Sequence, residues 1–259
     1  MNGSLYQTVT QAVREAGALL SHRELAAQVS QKGKTDFVTE VDRSVQELLK
    51  ERLAALTPDV PLFSEEQDNS GLDLTGPVWI LDPVDGTTNL IHDFRHSAIS
   101  LALADGDALQ FGVVYNPFHG ELFSAAAGAG AFCNDEPIRV RAVTALGDAL
   151  CSVGTNPGQR QEADLAFRRM RALYNCCHDV RRVGAASLEL CYVAAGRLDA
   201  YVEHGLHPWD YAAGMLILRE AGGTVTTAEG GAPSLHTVSD IAASGGAMHR
   251  EFLSVLQGA

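Results

Sequence analysis

The apolar pattern of this chain predicts a mixed fold of the α/β (α+β) class, and three observations carry that expectation. Apolar residues recur at helical spacing up to about residue 53, strand-length apolar runs dominate from Pro61 to Ala131, and strand-like and helix-like stretches alternate beyond about residue 140. A chain of 259 residues with 46% hydrophobic content can bury a sizeable core, as one large unit or as two closely packed halves.

The helical part comes first. Leu5, Val9, Val13, Ala16 and Leu20 share one face of a first helix, and Val41, Val45, Leu48, Leu49 and Leu53 share one face of a second. Between them Gln31-Lys32-Gly33-Lys34-Thr35-Asp36 is polar and contains a glycine, which predicts a loop able to move over a site. Thr39 followed three residues later by Asp42 is a capping signal for the second helix.

Strands follow at Leu62-Phe63, Val78 to Leu81, Ser97 to Leu103, Ala108 to Tyr115 and Glu121 to Ala125, with Asp105-Gly106-Asp107 turning one into the next as a hairpin. Next come a strand at Leu150 to Val153, a helix near Glu162 to Tyr174, a strand at Val180 to Val183 and a helix near Ser187 to Ala195. A strand at Ala200 to Glu203 and a helix from about Trp209 to Ala221 complete the pattern. No repeat, low-complexity segment or linker interrupts it. We therefore expect an N-terminal half, residues 1–140, and a C-terminal half, residues 141–259, in one compact unit.

A net charge of −13 disfavours binding to nucleic acid or to an anionic membrane, since either would need a basic face. The start of the chain shows no leader-like pattern and no segment approaches the length of a membrane span, so a soluble cytoplasmic protein is expected. Five cysteines without a CxxC pair predict reduced, mostly buried thiols rather than a disulfide framework or a structural zinc site.

Chemistry concentrates in Trp79-Ile80-Leu81-Asp82-Pro83-Val84-Asp85-Gly86-Thr87-Thr88-Asn89. Val78 to Leu81 read as a buried strand that should stop at Asp82, because Pro83 cannot donate to a ladder. Gly86 permits a sharp turn, and Thr87 or Thr88 can cap a following helix whose free N–H groups face an anion. Paired carboxylates beside such a turn read as a metal and phosphate site. Aspartate is also a common helix cap, but a second motif, Trp209-Asp210-Tyr211-Ala212-Ala213-Gly214, again opens a helical pattern with an aspartate, and Glu65-Glu66 adds more carboxylate. Glu65, Asp82, Asp85 and Asp210 gathered without counter-ions would carry about −4 and raise one another's pKa values, which two Mg2+ ions would relieve.

Together these motifs resemble those of the inositol monophosphatase family, within the superfamily of Mg2+-dependent, lithium-sensitive phosphatases that includes the fructose bisphosphatases. The resemblance extends over nearly the whole chain through Asp36-Phe37-Val38-Thr39-Glu40-Val41-Asp42, Glu65-Glu66, Gly184-Ala185-Ala186-Ser187, and Glu203 seven residues before Asp210. It implies a layered α-β-α-β-α sandwich with the site between the halves. It implies one Mg2+ on Glu65, Asp82 and the Val84 carbonyl, a second on Asp82, Asp85 and Asp210, and a third, weaker ion near Glu65.

The chemistry it implies is in-line attack of a metal-activated water on a phosphate monoester, without a covalent phosphoenzyme. In that scheme Thr87 orients the water with help from Asp42 and Glu65, and the N–H groups of Gly86 and Thr87 hold phosphate oxygens. A threonine hydroxyl is too weak an acid to serve alone, so its part is relay or positioning. Asp85, Ala185, Ala186, Glu203 and Asp210 are the implied substrate contacts, Glu203 reading a ring hydroxyl.

Departures from the family pattern are Ser64 and Asp93 where glycine is common, and a mobile-loop lysine that could be either Lys32 or Lys34. Arg181-Arg182 reads either as a contact to a second phosphate or as a surface feature. No histidine has metal-ligand spacing; His204 and His207 are expected to line the pocket or support Asp210. An inositol-1-phosphate phosphatase is the first expectation. The alternatives are a fructose bisphosphate, histidinol phosphate or 3′-phosphoadenosine phosphate phosphatase, or an accessory factor in transcription acting through protein contacts. A homodimer and inhibition by lithium follow from the resemblance alone.

Overall fold

Two sheets and three helical layers alternate in the computed structural model, which describes residues 3–31 and 37–259. The chain opens with α1 (Gly3–Gly17) and a short α2 (Arg23–Ala26). The antiparallel pair β1 (Val29–Gln31) and β2 (Phe37–Thr39) then leads into α3 (Glu40–Leu56). Lys32, Lys34 and Asp36 lie outside the described residues.

A seven-stranded sheet comes next: β3 (Leu62–Ser64), β4 (Pro77–Asp85), then, after α4 (Thr87–Ile91), β5 (Ala98–Asp105), β6 (Ala108–Asn116), β7 (Glu121–Ala126), β8 (Ala131–Cys133) and β9 (Glu136–Pro137). Its strands lie in chain order, and only β3 and β4 are parallel. The second sheet is built from β10 (Leu150–Val153), α5 (Ala163–Tyr174), β11 (Asp179–Arg181), α6 (Ala186–Ala194), β12 (Ala200–Leu206), α7 (Pro208–Glu220), β13 (Thr224–Thr226), β14 (Ser239–Ser244) and α8 (His249–Gln257). Its strand order is β11-β10-β12-β14-β13.

Strand β4 shows why the layers form. Its apolar run supplies both faces of a buried sheet. Val78 and Ile80 join the core beneath α6 and α7, whereas Trp79 and Leu81 join the core beneath α1 and α3. Helices α6 and α7 fill the space between the sheets, and α5 and α8 cover the outer face of the second sheet over Cys151, Val153, Val202 and Ala242. The α-β-α-β-α sandwich expected from the resemblance is the observed architecture.

Two local expectations are corrected. Strand β4 does not stop at Asp82 but continues to Asp85. Asp82 lies opposite Ser100 and Asp85 opposite Ala98, so three steps on β4 match two on β5. This is a β-bulge, and it absorbs the missing N–H of Pro83. It also has a chemical consequence. Asp82 and Asp85 would face opposite sides of a regular strand, but Ser100 and Ala98 share a face, so the bulge brings both carboxylates to the side of α6 and α7.

The second correction concerns the helix start. Gly86, at φ 85° and ψ 40°, is the N-cap of α4, and neither threonine caps it. The strands β8, β9, β13 and β14 do not stand out in the apolar pattern. They are short or built largely from small and polar residues, and their strand character comes from pairing with neighbours.

Candidate active site

The site forms where the end of β4 meets the first turns of α6 and α7. Asp85 is buried, and the start of α6 clamps it: Oδ1 accepts from Ala186 N at 3.1 Å, and Oδ2 accepts from Ser187 N at 2.7 Å and Ser187 Oγ at 2.5 Å. Asp82 accepts from Val84 N at 2.9 Å across the bulge. Asp210, in a capping box at the start of α7, accepts from His207 N at 2.7 Å.

These carboxylates share one electrostatic field. Burial pushes Asp82 well above the ordinary carboxylate range, and Glu65, Asp85, Asp210 and Asp42 push it further in that order. Asp210 is raised by burial, then by Glu65 and Asp85. Asp85 is raised to about 6 by burial, against the lowering effect of its Ser187 bonds. Among the described residues no group of three or more His, Cys, Asp or Glu side chains is close enough to hold an ion unaided, since each aspartate is turned onto a protein N–H. The donors nevertheless suit Mg2+ in kind. They are hard oxygens, buried in Asp82 and Asp85 and half-buried in Asp210, whose mutual repulsion a divalent cation would relieve, and Mg2+ keeps several waters and needs only one or two carboxylates.

Thr87 stands beside this cluster. Its hydroxyl lies 2.9 Å from the Val84 carbonyl and 3.2 Å from Asp42 Oδ1. The other oxygen of Asp42 accepts from Thr39 N at 2.8 Å and Thr39 Oγ1 at 2.5 Å, completing the capping box expected at α3. The capping aspartate is therefore also the partner of Thr87. Burial lifts Asp42 to about 6.

The Gly86 turn is held by a residue whose role the motif does not announce. Asn89 Nδ2 lies 2.8 Å from the His96 carbonyl, 3.0 Å from that of Val183 and 3.1 Å from that of Gly184. One amide thus ties the first motif to the Gly184 turn of the other half of the chain. Ala185 and Ala186 are both buried there, and Ala186 spends its N–H on Asp85.

Glu203 is buried and sits in the middle of β12 rather than at its end, beside an irregularity in the pairing with β14. Its Oε1 accepts from Asn156 N at 2.9 Å and its Oε2 from Tyr201 Oη at 2.5 Å. Gly154 makes this possible, because a Cβ there would overlap the Glu203 carboxylate. Its proximity is electrostatic as well as steric, since Glu203 raises both Asp85 and Asp210. Behind it Glu189, fully buried and bonded to Ser152 Oγ, is raised to about 7 by burial and then by Glu203. His204 does not support Asp210; its Nδ1 lies 2.7 Å from Asp240. His207 does, through its backbone, while its ring stacks on Trp209.

These shifts set a pH dependence. Asp42, Asp85 and Glu189 hold protons more tightly folded than unfolded, so their contribution is full below about pH 4 and is lost as pH rises through about 6 to 7. In a chelator, Tm is expected to fall by at least about 5 °C between pH 5 and pH 7.5, with Mg2+ restoring much of the loss at pH 7.5. A flat Tm profile would contradict the repulsion described here.

The profile described as the inositol monophosphatase family matches residues 1–258. The chain belongs to the inositol monophosphatase family. Within it, the chain is 41% identical over 241 residues to the inositol-1-monophosphatase of Rhizobium meliloti, covering 91% of this chain and 90% of that protein. It is 39% identical over 221 residues to the Nus factor SuhB of Vibrio cholerae, covering 84% and 81%. The solved structure of the extragenic suppressor protein suhB from Bartonella henselae superposes with a TM-score of 0.90 at 34% identity, covering 98% of this chain and 99% of that one. Family membership supports a phosphatase, and the family is generally metal-dependent.

Asp42, Asp82, Val84, Asp85, Thr87, Ala186, Glu203 and Asp210 are thus joined by direct bonds or by one field, Glu65 acts on Asp82 and Asp210, and Gly86 packs closely against Ala185. Ser187, Asn89, Tyr201, Asn156 and Gly154 join them without having been expected as site residues. Asn89 ends the first motif, Ser187 ends Gly184-Ala185-Ala186-Ser187, and Gly154-Thr155-Asn156 directly follows a strand. Those positions are the signals that sequence reasoning could have used.

Proposed function

We propose that this protein hydrolyses phosphate monoesters in a Mg2+-dependent reaction, with inositol 1-phosphate as substrate and inositol and phosphate as products. One observation carries the reading: a bulge, a helix cap and a loop bring Asp82 with Asp85, Asp210, and Glu65 into one electrostatic field beside the Thr87–Asp42 pair.

In this reading Glu65, Asp82, the Val84 carbonyl, Asp85 and Asp210 hold two or three Mg2+ ions. When bound, the metal lowers the pKa of water and offsets charge on the phosphoryl oxygens. Thr87, its hydroxyl between Val84 O and Asp42, orients the attacking water, and Asp42, raised to about 6, and Glu65 assist it. The N–H groups of Gly86 and Thr87 hold the phosphate. Helix α4 is only five residues long, so these amides act by position more than by a macrodipole. Glu203, Ala185 and Ala186 border the ring, and Glu203, held at both oxygens, reads one hydroxyl. Inhibition by lithium, a homodimer and a cytoplasmic location belong to the same reading and rest on the family likeness. No helix among the described residues is long and apolar enough to cross a membrane.

The test is phosphate release from inositol 1-phosphate, fructose 1,6-bisphosphate, histidinol phosphate and 3′-phosphoadenosine 5′-phosphate at equal concentration, with and without Mg2+. Inositol 1-phosphate is expected to be preferred by at least about tenfold in kcat/KM, the discrimination available to a pocket that hydrogen-bonds a hydroxyl. Release from another substrate alone would reassign the ring contacts, and release from none by folded protein would sink the hydrolase reading. Relatives named Nus factor SuhB favour the second reading, an accessory factor acting through protein contacts.

A further inference from the structure

Strand β12 carries a second bulge, placed directly after the residue that reads the ring in the proposed reaction. Glu203 lies opposite Ile241 and Leu206 opposite Ser239, so three steps on β12 match two on β14. Gly205 sits inside the bulge at φ 70°, a left-handed backbone that glycine adopts without strain. Between Ser239 and Ile241 stands Asp240, whose carboxylate grips the bulge from one side. Its Oδ1 accepts from Gly205 N at 3.1 Å and lies 2.7 Å from His204 Nδ1. Its Oδ2 accepts from Nη1 of the buried Arg169, on α5, at 3.2 Å.

Asn156 grips the same bulge from the other side. Its Nδ2 lies 3.0 Å from the carbonyls of both His204 and Gly205, while its backbone N donates to Glu203 Oε1 at 2.9 Å. Asn156 has φ 37°, a left-handed backbone that asparagine tolerates but that surrounding bonds must hold. The N–H that Asn156 offers to Glu203 is therefore aimed by the carbonyls of the bulge. Asp210, further along the same segment, is anchored independently. It has its own capping bond to His207 N, the neighbouring Trp209 carbonyl accepts from Ser100 Oγ at 3.2 Å, and the Trp209 ring packs edge-on against Phe63. A disturbed bulge thus reaches Glu203 before it reaches the metal-binding carboxylates.

We propose that Asp240 is a positioning residue for substrate recognition: it fixes the bulge of β12 so that Asn156 holds Glu203 in the orientation that reads a ring hydroxyl. This rests on the hydrolase reading above. Asp240 acts through Asn156 and Glu203, so its effect lies in KM for a hydroxyl-bearing ring and not in the chemical step.

Asp240→Ala alone would leave the buried Arg169 charge uncompensated, so the substitution is made in Arg169→Leu and compared with Arg169→Leu itself. Adding Asp240→Ala is expected to raise KM for inositol 1-phosphate at least about fivefold, with kcat unchanged within about twofold. For 4-nitrophenyl phosphate, a monoester without ring hydroxyls, neither constant should move by more than about twofold. Adding Asp240→Asn instead, which keeps an oxygen for the Gly205 N–H, should leave KM near that of Arg169→Leu. Asn156→Gly, which suits the left-handed backbone but loses the grip on the bulge, should raise KM for inositol 1-phosphate similarly, and its effect should not add to that of Asp240→Ala.

Equal losses on both substrates would overturn this inference by making Asp240 a general brace of the fold, and so would an unchanged KM or additive effects with Asn156→Gly. Each of those results leaves the hydrolase reading standing. Release from neither substrate by the unaltered, folded protein would remove the hydrolase reading and this inference with it.

Discussion

Replacing Asp82 by asparagine is expected to abolish Mg2+-dependent phosphate release, by a factor on the order of 10^3 or more, while making the metal-free protein more stable. Both effects have one source. Asp82 is buried and repelled by Glu65, Asp85, Asp210 and Asp42, so its charged form costs the fold stability that only a cation can restore. Asparagine is nearly the same shape and keeps an oxygen for the Val84 N–H. The geometry of the bulge therefore survives while a charge that would help hold metal in the proposed site is removed.

In a chelator at pH 7.5 the variant should melt about 3–6 °C above the unaltered protein, and Mg2+ should raise its Tm much less than it raises that of the parent. A variant that loses activity and stability together would show that the carboxylate serves the fold rather than a cation. If the accessory-factor reading holds, partner binding should persist in Asp82→Asn although turnover does not.

The second large effect is expected at Gly86. A Cβ there would lie 2.9 Å from the His96 carbonyl oxygen, 3.2 Å from the Gly184 carbonyl oxygen and 3.2 Å from Ala185 Cβ. None of these yields easily, because both carbonyls are bonded to Asn89 and Ala185 is buried. The left-handed backbone at φ 85° adds roughly 1–2 kcal/mol for any residue with a Cβ. Gly86→Ala should therefore lower Tm by several degrees. It should also cut kcat/KM by about 100-fold or more, mainly through KM, because the amides of Gly86 and Thr87 shift away from the phosphate.

Gly86→Asn separates the two causes. Asparagine tolerates the left-handed region better than alanine but brings the same Cβ. If Asn is as damaging as Ala, lost space dominates; if Asn is much milder, backbone strain does. Near-parental activity in both would mean that the turn does not hold the phosphate.

Much of this molecule is legible in its amino-acid order, for physical reasons that can be named. Helical spacing of Val9, Val13 and Ala16 and of Val41, Val45 and Leu49 reports burial of one face, so α1 and α3 follow from local pattern. The Thr39–Asp42 capping box is likewise local, formed within four residues. The five-layer sandwich is legible through resemblance, because the motifs carrying it are spread over nearly the whole chain. Strands such as β14, whose character comes from lying between β12 and β13, leave little trace in their own residues.

Chain order dictates which carboxylates, hydroxyls and glycines are available and at which element ends they lie. How they face one another is settled by packing. The bulge that turns Asp85 to the same side as Asp82 depends on its pairing with β5, not on residues 82–85 alone. The Ser187 clamp on Asp85 and the Asn89 bonds to Val183 and Gly184 join residues about 100 positions apart, a separation that no periodicity encodes. His204 looks like a neighbour of Asp210 because it lies six positions before it, yet the strand sends its ring to Asp240. Local chemistry follows from sequence, whereas orientation follows from tertiary contact, because backbone register and buried hydrogen bonds are satisfied only when distant segments meet.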